Sequence, residues 1–128
     1  MQDGKHVILY VDDDPDFLDS MRMVLEAGGY AVVTAGSAEE GLRTWRAHTP
    51  DCVIVDLMME EVDAGTRFVK DLKAEGNQAP ILLLSSVGDQ LALNVNYAEL
   101  GLAGVLQKPV DSDALLRTLA KKLGETKA

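Results

Sequence analysis

Short apolar runs alternate with stretches of helical periodicity along the chain. The runs are rich in β-branched and large aliphatic residues, and each is followed by polar or turn-forming residues, which is typical of buried strands. They lie at 5–11, 31–35, 52–55, 81–84 and 105–107. Because strands separated by helices pair in parallel through right-handed crossovers, the alternation predicts a doubly wound (βα)5 α/β domain. We expect its five-stranded parallel sheet in the order 2-1-3-4-5.

The helical stretches carry their own start and stop signals. Asp14 can cap the first helix, Pro15 suits its first position, and Gly28 and Gly29 stop it. Ser37 stands three residues before a glutamate, the spacing of a capping box, and predicts the start of a second helix. Further helices are predicted near 68–76, 89–100 and 115–123.

Length and charge limit the classes of function. The chain has 128 residues and a net charge of −9, which predicts one domain, 1–128, with a core at about 5–123 and a short polar tail. An acidic protein lacks the basic field that attracts nucleic acid. No run approaches the roughly 18 apolar residues of a membrane span, and the first residues do not form a signal peptide. We expect a cytoplasmic protein that binds neither nucleic acid directly nor membrane.

Aspartates end two of the predicted strands. Asp12 and Asp13 follow the first strand, and Asp56 ends the third. In the predicted strand order these strands are neighbours at the switch point, where ligands bind in such sheets. Clustered carboxylates repel one another unless a cation or a proton neutralises them. All-oxygen ligands favour magnesium, calcium or manganese over zinc, and an incomplete protein cage with places for water and phosphate suits Mg²⁺.

Two further polar residues are predicted at the same sheet edge. Ser85 ends the fourth strand and Lys108 follows the fifth. A carboxylate nucleophile, a metal, a cation and a hydroxyl are the parts that stabilise a transferring phosphoryl group. Each part alone has an ordinary interpretation: a solvated turn with a helix cap for 12–14, a surface lysine and a strand-end hydroxyl. Their joint placement favours a phosphoryl site, with Asp14 as a cap and not a ligand.

These residues stand in segments that resemble the response regulator receiver family of bacterial two-component systems. The segments are YVDDDP at 10–15, VDLMM at 55–59, LSS at 84–86 and QKP at 107–109. The resemblance extends from Val7 to about Leu123. It implies a flavodoxin-like fold and a stand-alone, chemotaxis-regulator-like receiver or a segment of a longer protein.

The resemblance also implies roles for individual residues. Asp56 would be the phosphoacceptor, Ser85 would hydrogen-bond the phosphoryl group, and Lys108 would pair with it. The implied Mg²⁺ ligands are Asp12, mainly through water, Asp13, Asp56 and the backbone carbonyl of Met58.

The implied activity is signal transduction by phosphorylation. A sensor histidine kinase or phosphotransfer protein would donate the phosphoryl group. A downstream protein would bind through the helix predicted at 89–100, the fifth strand and the last helix. The protein would not be a turnover enzyme, because it catalyses only its own phosphorylation and dephosphorylation. Since receiver dimers often form on phosphorylation, the resemblance also allows a phosphorylation-dependent homodimer.

The sequence departs from the family pattern at three informative positions. Val105 stands where receivers usually carry the aromatic ring that reports phosphorylation, so the readout would need movement of a loop or of the helix at 89–100. Met58 and Val87 flank the path of the attacking water in this family. Because neither side chain can orient water by hydrogen bonding, we predict a phosphoaspartate that hydrolyses slowly.

Three alternatives remain at this point. A degenerate receiver would act as a phosphorylation-independent interaction module. A haloacid dehalogenase-type phosphatase would use Asp12 and Asp14 as its paired aspartates but would leave Asp56 without a role. A flavodoxin-like FMN binder shares the fold, but three carboxylates face the place where its first loop would need donors for phosphate.

Overall fold

The computed structural model describes residues 4–56, 64–85, 102–107 and 111–124. Within these residues, five parallel strands form one sheet in the order β2-β1-β3-β4-β5. The strands are β1 (Val7–Val11), β2 (Ala31–Ala35), β3 (Cys52–Asp56), β4 (Ile81–Ser85) and β5 (Gly104–Gln107). The predicted α/β class and strand order are therefore confirmed. β1 begins two residues later than predicted, because exposed Lys5 forms only an isolated bridge.

We number the described helices α1 to α4 in chain order. They are α1 (Pro15–Ala27), α2 (Ala38–His48), α3 (Ala64–Ala74) and α4 (Ser112–Lys122). The caps predicted for the first two helices are confirmed: Asp14 accepts the N–H of Asp16 at 3.0 Å, and the Ser37 hydroxyl accepts the N–H of Glu40 at 3.1 Å. The helix predicted at 89–100 lies outside the described residues. In the described part of the chain, no helix is long and apolar enough to cross a membrane.

Alternate residues of the strands supply two apolar cores, one on each face of the sheet. Leu9 and Val11 of β1 enter the core that α3 and the half-buried Leu42 and Trp45 of α2 cover. The core on the opposite face contains Ile8, Tyr10, Cys52, Ile54, Leu82 and Leu84 with Met21 and Leu25 of α1 and Leu115 and Leu119 of α4. β1, β3 and β4 are buried along their whole length, and their carboxyl ends carry the predicted site.

The thiol of Cys52 belongs to the second core. Its side chain is fully buried, and burial raises the pKa of the thiol to about 12. Since thiolate is the reactive form of cysteine, this residue packs as a small apolar side chain and does not act as a nucleophile at neutral pH.

Candidate metal centre

Strand register brings the site residues to one edge of the sheet. β1 and β3 are parallel neighbours with Val11 opposite Val55, so Asp12 and Asp56 stand at the next position of each strand. On the other side of β3, Asp56 lies opposite Leu84, and Ser85 comes one residue later. Neighbouring parallel strands thus present two carboxylates and a hydroxyl at their shared carboxyl edge, as predicted.

Asp12, Asp13 and Asp56 form a compact cluster. One carboxylate oxygen from each lies within 4.8 Å of the others. Oxygen ligands on opposite sides of Mg²⁺ are about 4 Å apart, so separations of at most 4.8 Å are close to those that one ion requires. The donor set is all oxygen and all anionic, the chemistry that a hard divalent cation requires. These residues therefore fit a magnesium ion.

Burial differs sharply among the three carboxylates. Asp12 is fully buried and Asp56 is 4% exposed, whereas Asp13 is open to solvent. Ser85 is also buried, with 7% of its surface exposed. Removing carboxylates from water is costly unless hydrogen bonds or a cation compensate. The cluster thus combines two buried acids at the sheet edge with one that is accessible to solvent.

The buried carboxylate of Asp12 has donors on both oxygens. The hydroxyl of Tyr10 donates to Oδ2, and the backbone N–H of Asp14 donates to Oδ1 at 3.0 Å. The backbone N–H of Asp12 itself donates to the carbonyl of Ala35 in β2 at 3.1 Å. Burial raises the pKa of Tyr10, as do its hydrogen bond to Asp12 and the nearby charges of Asp12, Asp56 and Asp14, so the phenol stays protonated. Three hydrogen bonds therefore fix the position of Asp12: two are accepted by its carboxylate and one is donated by its backbone N–H.

Tyr10 is a site residue for which the sequence, although it places Tyr10 in the first strand and in the YVDDDP segment, predicted no role. Residues two apart on a strand point to the same face, so Tyr10 and Asp12 share one side of the sheet. An aromatic hydroxyl two residues before a strand-end carboxylate was the available signal for the contact.

Asp14 has a structural role beside the cluster. Its carboxylate accepts the N–H groups of Asp16 at 3.0 Å and of Phe17 at 3.4 Å at the start of α1. This is the cap that the sequence predicted. A carboxylate engaged with a helix end is poorly placed to act as the general acid of a paired-aspartate phosphatase.

Two predicted site residues lie outside the described residues. These are Lys108 and Met58. The register of β4 and β5 pairs Ser85 with Gln107, the residue before Lys108 in sequence. Val87, on which the slow-hydrolysis prediction depends, also lies outside the described residues. Val105 of β5 is 40% exposed at the position where receivers usually carry an aromatic ring.

Curated relatives match nearly all of this chain. The transcriptional regulatory protein GlrR of Escherichia coli is 36% identical over 119 residues, which are 93% of this chain and 26% of that protein. The acid tolerance regulatory protein ActR of Rhizobium meliloti is 30% identical over 118 residues, 92% of this chain and 60% of that protein. The chain thus spans about a quarter of one relative and three fifths of the other.

Solved structures match over similar lengths. A response regulator receiver domain protein from Clostridium thermocellum has a TM-score of 0.84 at 26% identity, with 93% of this chain and 94% of that chain covered. The chemotaxis protein CheY4 of Vibrio cholerae has a TM-score of 0.82 at 28% identity, with 92% and 98% covered. The family model of the response regulator receiver domain matches residues 8–120. This chain belongs to the response regulator receiver domain family.

Proposed function

We propose that this chain is a phosphoacceptor receiver, in which Asp56 takes a phosphoryl group in a Mg²⁺-dependent reaction and thereby changes the affinity of the domain for a protein partner. The carboxylate cluster carries this proposal: three acids within 4.8 Å at the carboxyl edge of the sheet, two of them buried. Such a cluster is hard to explain as a solvated turn, because burial and mutual repulsion both oppose it.

Asp56 is the proposed nucleophile because it is the acid that the sheet fixes most directly. It is the last residue of β3, which pairs with β1 on one side and β4 on the other. A carboxylate oxygen of Asp56 would attack the phosphorus of a phosphohistidine in a sensor kinase or phosphotransfer protein. The O–P bond would form while the P–N bond breaks, and the leaving imidazole nitrogen would keep the electron pair. The product is an aspartyl phosphate.

The other site residues would stabilise charge during the transfer. Bound Mg²⁺ would neutralise charge on the phosphoryl oxygens, with Asp12, Asp13, Asp56 and the carbonyl of Met58 as the proposed ligands. Ser85 is the last residue of β4, the strand that pairs with β3, and its hydroxyl would donate to a phosphoryl oxygen. Lys108 would supply the positive charge, in keeping with its family motif and with the pairing of its neighbour Gln107 to Ser85.

The proposed output is a protein interaction. The surface would comprise the helix predicted at 89–100, β5 and α4, and the partner would be a protein, since a net charge of −9 opposes direct contact with nucleic acid. GlrR is named as a transcriptional regulatory protein, and the part that this chain matches is about a quarter of it. We propose that this domain works in the cytoplasm as a switch and not as a turnover enzyme.

The chemistry can be tested by intact mass. Wild type and Asp56→Asn are incubated with acetyl phosphate and Mg²⁺, with and without a chelator. We expect one phosphoryl adduct, on wild type only and only without the chelator. If a control receiver is labelled alongside and this protein is not, the proposal fails, and the phosphorylation-independent interaction module takes its place. An adduct on Asp56→Asn but not on Asp12→Asn would instead favour the paired-aspartate phosphatase.

A further inference from the structure

Tyr10 connects the carboxylate cluster to the interior of the domain. Its side chain is fully buried in the core between the sheet and α1. The ring lies near Phe17 in the first turn of α1, with ring centroids 6.2 Å apart and an interplanar angle of 46°. The hydroxyl at the far end of this fixed ring donates to Oδ2 of Asp12. The packed ring thus gives the hydroxyl a defined position.

Asp12 cannot rotate without losing hydrogen bonds. Oδ2 is bound by Tyr10, and Oδ1 is bound by the backbone N–H of Asp14 at 3.0 Å. Because Asp14 also caps α1, one side of the carboxylate is anchored to the helix start and the other to the β1 core. A carboxylate held at both oxygens keeps one plane and one position.

We propose that Tyr10 is a positioning residue for phosphoryl transfer, whose hydroxyl orients the Asp12 carboxylate for Mg²⁺ binding. This inference rests on the proposed function and concerns the same site. Each carboxylate oxygen has two lone pairs, so an oxygen that accepts from Tyr10 can also accept from a metal-bound water. Partners that orient metal ligands in this way typically contribute 10- to 100-fold to metal affinity, an order-of-magnitude range.

A neutral hydroxyl is better suited than a cation to orient the Asp12 carboxylate for Mg²⁺ binding. Carboxylate oxygens of Asp12, Asp13 and Asp56 lie within 4.8 Å of one another, and a lysine in place of Tyr10 would pair with Asp12 and compete with the metal for its charge. An aliphatic residue at position 10 would fill the core but would leave the buried Asp12 with one donor fewer. The phenol supplies the missing donor and keeps the negative charge that attracts Mg²⁺.

The first test measures Mg²⁺ affinity of the unphosphorylated protein by calorimetry. Tyr10→Phe keeps the ring and removes only the hydroxyl, and we expect Mg²⁺ to bind about tenfold more weakly. Tyr30→Phe is the matched control, because Tyr30 is a buried tyrosine of the same core that precedes β2 at the opposite edge of the sheet. It should bind Mg²⁺ as the wild type does. Unchanged or tighter binding by Tyr10→Phe overturns the inference.

A double-mutant cycle separates positioning from general support of the fold. If Tyr10 acts through Asp12, Tyr10→Phe should change Mg²⁺ affinity little in an Asp12→Ala background, where the acceptor is gone. Equal losses of affinity in both backgrounds would overturn the inference, because they would reflect a structural effect. Thermal unfolding in a chelator checks that each variant is folded.

A spectroscopic readout needs no altered site. Titration of wild type with Mg²⁺ should perturb the near-ultraviolet tyrosine absorbance, because the acceptor of the Tyr10 hydroxyl gains a metal or a metal-bound water. The signal should persist in Tyr30→Phe, and its absence from wild type would contradict the inference.

Acetyl phosphate labelling of wild type is followed alongside. Labelling at Asp56 with unchanged Mg²⁺ affinity in Tyr10→Phe defeats the inference alone, whereas wild type that neither binds Mg²⁺ nor is labelled defeats the proposed function as well.

Discussion

The indole Nε1 of Trp45 donates a hydrogen bond to Oδ1 of Asn77 at 3.0 Å. Trp45 lies on α2, whereas Asn77 lies between α3 and β4. The same amide oxygen accepts the N–H of Ala79 at 3.2 Å, and the amide nitrogen donates to the carbonyl of Ala79 at 3.0 Å. One half-buried side chain therefore shapes the turn into β4 and joins that turn to α2.

Asn77→Ala should destabilise the fold. The substitution removes these bonds together and leaves the Trp45 N–H without its acceptor, a loss of about 1–3 kcal/mol in the free energy of unfolding. Urea unfolding followed by fluorescence of the single tryptophan measures it. The control is Arg43→Ala, which breaks only an exposed ion pair with Glu39 and should cost about 0.5 kcal/mol or less. Equal losses in the two variants would contradict this account.

Gly41→Ala should also destabilise the fold, although alanine normally favours a helix over glycine by about 1 kcal/mol. A Cβ at Gly41 would lie 3.0 Å from Cγ2 of Val11 and 3.1 Å from Cζ of Phe68. Crowding a packed core costs about 1–3 kcal/mol, more than the helix gains. Gly36→Ala is the control, since its Cβ would meet nothing closer than 3.8 Å. A Gly41→Ala protein as stable as wild type in thermal unfolding would refute the prediction.

The Cys52 thiol predicts a loss of stability in alkali. Burial raises its pKa from 9.0 to about 12 in the folded protein. The unfolded chain therefore releases this proton at lower pH, so the contribution of Cys52 is complete below pH 9.0 and is lost as pH rises toward 12. Denaturant unfolding at several pH values should show a shallower decline for Cys52→Ala than for wild type. Identical slopes above pH 9.0 would argue against a buried thiol.

Asp13→Asn should separate charge repulsion from metal binding. Asp13 is the exposed member of the carboxylate cluster, and removing its charge relieves repulsion with Asp12 and Asp56. In a chelator, the variant should unfold at a higher temperature than wild type. With Mg²⁺ present, wild type should gain more thermal stability than the variant, because the variant has lost a ligand. Equal gains would exclude Asp13 from the metal site.

Phosphoaspartate lifetime tests the prediction made for Met58 and Val87. Polar groups at these positions could orient the attacking water, so Met58→Asn combined with Val87→Glu should accelerate hydrolysis by roughly tenfold or more. The decay of the phosphoryl adduct is followed by intact mass after acetyl phosphate is removed. Asp56→Asn provides the unlabelled baseline. An unchanged decay rate would show that these side chains do not control water access.

The sequence predicted those parts of the site that depend on local pattern. The alternation of strands and helices predicted the doubly wound parallel sheet, and parallel strands bring Asp12 and Asp56 together because their carboxyl ends share one edge. The cap at Asp14 followed from its position just before a proline and an acidic first turn.

The contacts that depend on side-chain direction or distant packing were not predicted. Periodicity places Tyr10 in a core but does not show that its hydroxyl reaches past the strand end to Asp12. The Trp45 to Asn77 bond joins two elements whose relative position is set by how α2 and α3 pack on the sheet. The roles predicted for Asp56, Ser85, Lys108 and Met58 rest on the family resemblance and remain predictions.

The strand register also determines when the carboxylate cluster and Ser85 can come together during folding. Asp12, Asp56 and Ser85 come from distant parts of the chain and meet only after β1, β3 and β4 have paired. Pairing between distant segments costs loop-closure entropy before the new contacts stabilise the chain. It is therefore the slow part of folding in parallel sheets. A refolding chain should therefore acquire helical circular dichroism before Asp12, Asp56 and Ser85 come together, so the carboxylate cluster forms only in the assembled sheet.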